Sequence, residues 1–161
     1  MLDIVIENAE IYDGVGKPPF RGAVGIRADK IISIGDIAEE AKKTIDATGL
    51  ILCPGFIDIH SHSDYHLLIN PNADSKITQG VTTEIGGNCG YAAAPVWGEA
   101  KKRREAEYFK HYKLKLGWKR LSEYFDRLEN KGMGVNYGQL IGHNTLRTSA
   151  MGGAKRAPTK K

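Results

Sequence analysis

The sequence predicts an α/β fold in two parts, and three observations lead to this class. Short segments rich in β-branched residues and broken by turn residues fill residues 1–53. From residue 54 the order becomes strand, helix, strand, helix, strand, which is typical of a parallel sheet with covering helices. With 161 residues, 41% of them hydrophobic, the chain is long enough to bury a core. We therefore predict two domains, residues 1–53 and residues 54–161.

Residues 1–53 are predicted to form a small antiparallel β unit without chemistry of its own. Turn residues such as Asp13-Gly14 and Pro18-Pro19 separate its strands, because glycine and proline favour turn conformations. The step Arg27-Ala28-Asp29-Lys30 between two apolar runs predicts a tight hairpin. The predicted strands are Leu2–Ile6, Glu10–Tyr12, Ala23–Arg27, Lys30–Ile34 and Lys43–Asp46.

Residues 54–161 are predicted to alternate strands with helices. The apolar run Phe56–His60 shows no polar alternation, which is expected of a strand buried on both faces. A helix near Ala73–Gln79 and a second strand, Val81–Ile85, follow it, and the strand leads into a glycine-rich turn. A long basic helical region then precedes a third strand, Val135–Ile141. The helical region carries an apolar stripe made of Trp118, Leu121, Phe125 and Leu128.

The charge pattern favours neither nucleic acid nor membrane as a partner. The net charge of +4 is mild, and a solvated helix face with a basic tail accounts for it. The chain has no apolar run of membrane-spanning length and no basic leader at Met1, so we expect a cytoplasmic protein. Two cysteines, Cys53 in the core and Cys89, fit a reducing compartment. The basic residues are concentrated in Lys101–Arg104, Lys110–Lys119 and the tail Lys155, Arg156, Lys160 and Lys161.

The segment Asp58-Ile59-His60-Ser61-His62 is the first candidate site. Side chains two apart on a strand point the same way, so Asp58, His60 and His62 are expected to converge. Two imidazoles placed in this way can share a zinc ion. At the carboxyl end of a parallel strand they would lie where α/β barrels hold their active sites.

Cys89 is the second candidate ligand. It follows the second predicted strand, between Gly87-Asn88 and Gly90, where small residues allow a tight turn. Because the carboxyl ends of neighbouring parallel strands meet, a thiolate here could complete a zinc site with His60 and His62. A lone cysteine is otherwise a small buried hydrophobe, so the prediction depends on this placement.

Three longer segments resemble a known family. Ile45–Ser63, IDATGLILCPGFIDIHSHS, resembles the opening motif of the amidohydrolase superfamily. Lys76–Pro95, KITQGVTTEIGGNCGYAAAP, is similar to the N-acyl-D-amino-acid deacylase branch, the D-aminoacylases, in which a cysteine follows the second strand. Tyr137–Arg147, YGQLIGHNTLR, resembles the same branch. The resemblance covers nearly the whole chain and corresponds to the N-terminal portion of the family.

The resemblance implies a fold, an activity and a cofactor. The fold would be the N-terminal part of a small β-sandwich domain, followed by the first three βα units of a TIM-like barrel. The activity would be hydrolysis of the amide of N-acyl-D-amino acids by a metal-activated water. His60, His62 and Cys89 would bind one or two Zn²⁺, with Cys89 holding the tight zinc. Asp64 would orient a histidine or be structural, and His143 would lie near the substrate or bond within its loop.

The chain is shorter than members of this family, whose remaining barrel supplies further histidine ligands, an aspartate general base and an arginine for the substrate carboxylate. We therefore expect no catalytic residue within this chain, an incomplete barrel and no activity alone. The expected partner is a small-molecule N-acyl amino acid, with self-association through the exposed barrel edge. Two alternatives stay open: a dihydroorotase- or hydantoinase-like cyclic amide hydrolase, which commonly uses a carboxylated lysine in place of Cys89, and a non-catalytic binding module with a basic helix.

Overall fold

A mixed five-stranded sheet forms the first unit, Met1–Pro54, of the computed structural model, which describes residues 1–159. Its strands are β1 (Leu2–Ile11), β2 (Phe20–Arg27), β3 (Lys30–Gly35), β4 (Ala41–Asp46) and β5 (Ile51–Leu52). The strand order is β3-β2-β1-β4, and β5 also pairs with β1. Buried side chains of β1 and β2 form its small core together with Ala47.

Two predictions for this sheet are wrong in detail. The predicted strands Leu2–Ile6 and Glu10–Tyr12 are one strand, interrupted by a register shift between Ile6 and Ala9. Asn8 takes the left-handed conformation at this point, which lets the strand continue past an irregular pair. The sheet is also not purely antiparallel, because β4 and β5 pair with β1 in the parallel direction.

The predicted hairpin is confirmed. Arg27 pairs with Lys30 across the turn that joins β2 and β3, and Ala28 adopts a positive φ of 54° there. The Ala28 amide donates to the Asp3 carboxylate over 2.7 Å, which stabilises the turn. Cys53, near the end of this unit, is exposed, so its predicted place in the core is wrong.

Three parallel strands form the sheet of the second unit, which begins at Gly55. They are β6 (Phe56–Asp58), β7 (Val81–Gly86) and β8 (Asn136–Gln139), in that spatial order. The helices are α1 (Asp74–Ile77), α2 (Gly98–Tyr112), α3 (Leu121–Lys131) and α4 (His143–Met151). The predicted order of parallel strands and helices is therefore present. Lys160 and Lys161 of the predicted basic tail lie outside the described residues.

The predicted long helical region is two helices. Helix α2 ends where Lys113 takes a left-handed conformation with φ of 56°, and α3 begins only at Leu121. Trp118 therefore lies in the connection and is not part of a helical stripe, although it is buried and its indole N–H donates to the Ala93 carbonyl at 2.9 Å. Tyr124 and Leu128 of α3 pack with it in the core.

Strand β6 differs from the prediction of a strand buried on both faces. It is shorter than predicted and ends at Asp58, and Phe56, Ile57 and Ile59 are exposed. The reason is that β6 is at the edge of the three-stranded sheet, where only β7 pairs with it. Among residues 1–159, none of the helices combines the length and apolar character that crossing a membrane requires.

Candidate metal centre

The carboxyl ends of β6 and β7 bring three candidate ligands together. The strands run parallel with Asp58 opposite Glu84, so the chain leaves both strands at the same edge of the sheet. The Ser61 amide then donates to the Ile85 carbonyl at 3.0 Å, which keeps the histidine segment beside β7. His60 Nε2 lies 3.1 Å from Cys89 Sγ, and one ligand atom from each of His60, His62 and Cys89 lies within 4.8 Å of the others.

These three side chains fit a zinc ion. Imidazole nitrogen and thiolate sulfur are the ligands zinc favours, and a tetrahedral zinc ion holds such atoms roughly 3–4 Å apart. The separations of up to 4.8 Å are therefore close to what the ion requires. All three side chains are exposed, so the cluster is open on one side, as a catalytic metal site has to be.

The turn that carries Cys89 is fixed by polar contacts. The buried Asn88 amide group donates to the Ile85 carbonyl at 2.7 Å and to the Ser61 carbonyl at 3.2 Å. One side chain therefore ties the cysteine turn to the histidine segment. On the other side, the Asn144 amide group donates to the Cys89 carbonyl at 3.3 Å.

Asp58 does not join the cluster, contrary to the prediction that it converges with the two histidines. Its carboxylate accepts a hydrogen bond from the Lys76 ammonium at 2.6 Å and another from the His60 backbone N–H at 3.0 Å. The hydrogen bond from Lys76 holds the pKa of Asp58 below its usual value. Because the strand ends at Asp58, the alternation of side chains stops before the histidines.

Asp64 is buried behind the cluster. Burial raises the pKa of its carboxyl group, and its Oδ1 accepts the Gly87 amide at 3.0 Å. Among the described hydrogen bonds, none joins this carboxylate to a histidine ring. Asp64 therefore contacts the turn that leads to Cys89.

His143 lies at the start of the helix that follows the third strand of this sheet. It is the first residue of α4 and its side chain is exposed. The metal-ligand cluster of the described residues does not include it. Its neighbour Asn144 makes the contact with the Cys89 turn.

A sequence model of the amidohydrolase family matches residues 43–161, which is most of the chain. The chain belongs to the amidohydrolase family. It is 35% identical to a D-aminoacylase of Alcaligenes xylosoxydans xylosoxydans, over 98% of this chain and 32% of that protein. The predicted resemblance to the D-aminoacylases is therefore confirmed, and so is the α/β class.

Solved structures of D-aminoacylase-type proteins match this amidohydrolase chain closely. A D-aminoacylase described for its binuclear metal centre has a TM-score of 0.87 and 33% identity, covering 99% of this chain and 34% of that one. An N-acyl-D-glutamate deacylase from Bordetella bronchiseptica, complexed with zinc and a phosphonate inhibitor, has a TM-score of 0.85 and 36% identity, over 99% and 33% of the two chains. The chain spans about a third of the length of these relatives.

The sequence predictions missed one group of residues beside this candidate metal centre. Glu84 on β7 is buried. Its carboxylate accepts hydrogen bonds from the Ser61 and Ser63 hydroxyls and forms a salt bridge with Lys76. The one sequence feature that could have indicated a role for Glu84 is the presence of an acidic residue within an otherwise β-branched strand. Nothing in the sequence spacing indicates that Lys76 and the two serines would meet it.

A cleft of about 200 Å³ adjoins the cluster. His62 lines it, together with Tyr65, Tyr91, Arg104 and Tyr108. The Arg104 guanidinium lies 5.8 Å from the centre of the Tyr91 ring and donates to Glu107 at 2.8 Å. Within residues 1–159, the bond to Glu107 is the one hydrogen bond of the Arg104 side chain, whose guanidinium has five N–H donors.

Proposed function

We propose that this chain supplies the metal-binding portion of an amidohydrolase that releases D-amino acids from N-acyl-D-amino acids. One observation carries this proposal: His60, His62 and Cys89 place their ligand atoms within 4.8 Å of one another. Cys89 follows the second strand of the parallel sheet in the Asn88-Cys89-Gly90 segment that resembles the D-aminoacylases. The similarity to D-aminoacylases along the chain supports this substrate class.

The metal we propose is one or two Zn²⁺, held by the two imidazoles and the Cys89 thiolate. When bound, zinc supplies Lewis acidity that lowers the pKa of a water molecule and polarises an acyl carbonyl. The protein's own contribution is to hold His60, His62 and Cys89 at adjacent strand ends. Asn88 and Asp64 contribute by fixing the turn that presents Cys89.

The chain spans about a third of the length of its curated relatives, and the activity proposed is that of a whole protein. We propose that the general base lies outside these 161 residues, as the resemblance to the D-aminoacylases implies. Residues 1–53 would belong to a β-sandwich, and residues 54–161 would form the first three βα units of a TIM-like barrel. His143 would approach substrate from the third strand end, and we propose a cytoplasmic location.

The alternative of a dihydroorotase- or hydantoinase-like hydrolase has less support. Cys89 Sγ lies 3.1 Å from His60 Nε2 and can therefore serve as a metal ligand. Dihydroorotase- and hydantoinase-like hydrolases commonly have a carboxylated lysine as this ligand. A non-catalytic module with a basic helix also has less support, because acidic side chains pair with the arginines of α2. Arg103 contacts Glu99, and Arg104 contacts Glu107.

Zinc content of the purified chain tests the metal site. We expect roughly one tightly held zinc per chain, lost in His62→Ala and in Cys89→Ala, because three protein ligands are the minimum of a catalytic zinc site. Matched controls are His111→Ala and Cys53→Ala, which remove an exposed histidine and an exposed cysteine that are not members of the cluster. Both controls should keep their zinc.

Release of free amino acid from N-acetyl-D-glutamate and N-acetyl-D-methionine tests the reaction, with the L-enantiomers as controls. We expect the 161-residue chain to bind zinc without turnover. A chimera in which it replaces the matching third of the Alcaligenes D-aminoacylase should hydrolyse the D-substrates and lose this activity with Cys89→Ala. A folded, zinc-loaded chimera that leaves both D-substrates intact would contradict the proposed function. Turnover by the chain alone would contradict the placement of the base outside it.

A further inference from the structure

Glu84 is the least expected side chain near the metal cluster. It lies in the middle of β7, its relative exposure is 0%, and it is not one of the candidate ligands. Burying a carboxylate costs several kcal/mol unless opposite charge and hydrogen bonds compensate. The structure therefore has to offer Glu84 a set of partners, and those partners indicate its role.

All the partners of Glu84 converge on one of its oxygens. Oε1 accepts the Ser61 hydroxyl and the Ser63 hydroxyl, each at 3.0 Å, and lies 3.0 Å from the Lys76 ammonium. The other oxygen, Oε2, is buried and has no partner among the described residues. Such one-sided bonding means that the carboxylate is aimed at the serines and the lysine.

The two serines stand on either side of His62. The Ser61 amide pairs with the backbone of β7, and the Ser63 amide donates to the Ser61 hydroxyl at 3.3 Å. The residues before and after His62 therefore both donate hydrogen bonds to the same buried oxygen, Glu84 Oε1. His62 itself is exposed, so this attachment of its neighbours limits where the imidazole can point.

Lys76 connects the same network to the other histidine. Its ammonium lies 2.6 Å from Asp58, and Asp58 accepts the His60 backbone N–H at 3.0 Å. The carboxylates of Asp58 and Glu84 and the ammonium of Lys76 together carry a net negative charge beside the histidine segment. That charge favours a divalent cation at the histidines, since opposite charges attract strongly near a buried group.

We propose that Glu84 is a positioning residue of the metal centre, which acts through Ser61 and Ser63 to hold His62 in its ligand conformation. This inference rests on the proposed function, since it assumes that His62 binds metal. The interaction of Glu84 with the serines orders the segment before the metal arrives. Removal of such outer partners of a metal ligand typically weakens metal binding by about 10–100-fold.

The test is the dissociation constant for zinc, measured on the full chain by competition with a chromophoric chelator. We expect Ser61→Ala/Ser63→Ala and Glu84→Ala to weaken zinc binding by about 10–100-fold. Glu84→Gln should bind more tightly than Glu84→Ala, because an amide oxygen at the Oε1 position still accepts from both serines. The control is Glu105→Ala, whose carboxylate accepts the Leu116 amide at 3.0 Å and contacts neither serine.

The visible spectrum of the cobalt-substituted chain separates positioning from general stability. Loss of His62 as a ligand should change the ligand-field bands in Glu84→Ala and keep the thiolate charge-transfer band of Cys89. Glu105→Ala should lower the unfolding temperature and keep both the spectrum and the zinc affinity. The double serine variant leaves Glu84 paired with Lys76, so it tests the proposal even if Glu84→Ala fails to fold.

The outcomes distinguish this inference from the proposed function. If the unmodified chain binds no zinc, the metal site and the role of Glu84 are both wrong. If the unmodified chain binds zinc and the folded double serine variant binds it equally well with the same cobalt spectrum, only the positioning role is overturned. Weakened affinity in that variant, with the Glu105→Ala control unchanged, supports the role.

Discussion

The turn between β7 and Cys89 shows how single residues set the position of a ligand. Gly87 has a φ of +76°, and a Cβ added there would lie 2.0 Å from the Leu140 carbonyl oxygen. Cys89 also has a positive φ, of 55°, which is uncommon for a residue with a side chain. The direction of its Sγ therefore depends on a backbone conformation that the neighbouring contacts impose.

Replacement of Gly87 by alanine is expected to disturb both stability and the site. The added methyl group collides with the Leu140 carbonyl, so we expect a loss of about 1–3 kcal/mol beyond the cost of the left-handed backbone. Zinc affinity should fall as well, because Cys89 lies two residues further on. Urea denaturation and zinc titration measure the two effects.

Gly49→Ala is the matched control for this prediction. Gly49 has the same φ as Gly87, +76°, in the turn closed by the hydrogen bond from the Leu50 amide to the Ala47 carbonyl, and a Cβ there meets nothing within 4 Å. It should cost only about 1–2 kcal/mol, the penalty of a positive φ for a residue with a side chain, and leave zinc binding unchanged. Equal losses in the two variants would show that contact with Leu140 is unimportant.

At the site, the sequence predicts ligands better than it predicts their supports. His60, His62 and Cys89 were expected together because each follows a strand of one parallel sheet, and that rule depends only on local patterns. Glu84 and Lys76 meet through tertiary packing, for which a single sequence carries no periodic signal. Asp58 does not converge with the histidines because β6 ends at Asp58, and the alternation of side chains along a strand does not extend past its end.

Among the elements, helix α3 contributes two fully buried side chains to the core of the second unit. Its Tyr124 and Leu128 are fully buried and pack with Trp118 and Leu116 from the preceding connection. The Glu123 carboxylate accepts the Lys119 amide at 2.6 Å and the Arg120 amide at 3.0 Å, which satisfies donors at the start of the helix. The helix is thus held by one apolar face and a defined first turn.

Truncation of the buried face of α3 is expected to destabilise the chain. Leu128→Ala should cost about 2–5 kcal/mol, because it removes buried methyl groups and leaves a cavity. Leu140→Ala is the control, since Leu140 is 52% exposed and should change stability by no more than about 0.5 kcal/mol. Urea denaturation measures both, and similar midpoints for the two variants would contradict the core assignment.

The elements that sequence patterns predicted well are those with local signals. Strands β2, β3 and β7 and the hairpin between β2 and β3 lie where β-branched runs and turn residues placed them. The end of α2 was missed because Lys113, which is not a glycine, takes the left-handed conformation. The parallel pairing of β4 with β1 was missed because strand direction depends on a connection between distant segments.

For the molecule as a whole, exposed apolar residues are grouped on edge strands, namely β6 of the second sheet and β3 of the first. Phe56, Ile57 and Ile59 along and just after β6 are all exposed, and Leu140 and Ile141 are exposed after β8, at the opposite edge of the same sheet. Grouped apolar side chains of this kind mark contact surfaces. The net charge of +4 provides only modest repulsion between copies. A second copy of the chain is the partner we expect at the β6 edge.

We expect the chain to self-associate through the exposed edge strand β6. Sedimentation velocity should show a mean mass that rises with concentration, and Ile57→Lys should return the chain to the monomer, because a charged side chain opposes edge pairing. Ile31→Lys is the matched control, since Ile31 on β3 and Ile57 on β6 are both 63% exposed. It should associate like the unmodified chain, and both variants should retain zinc if their folds are intact.

Two outcomes would contradict this prediction. If the unmodified chain sediments as a single monomer species at every concentration, the exposed edge does not pair. If Ile57→Lys and Ile31→Lys reduce association equally, the contact does not lie at β6.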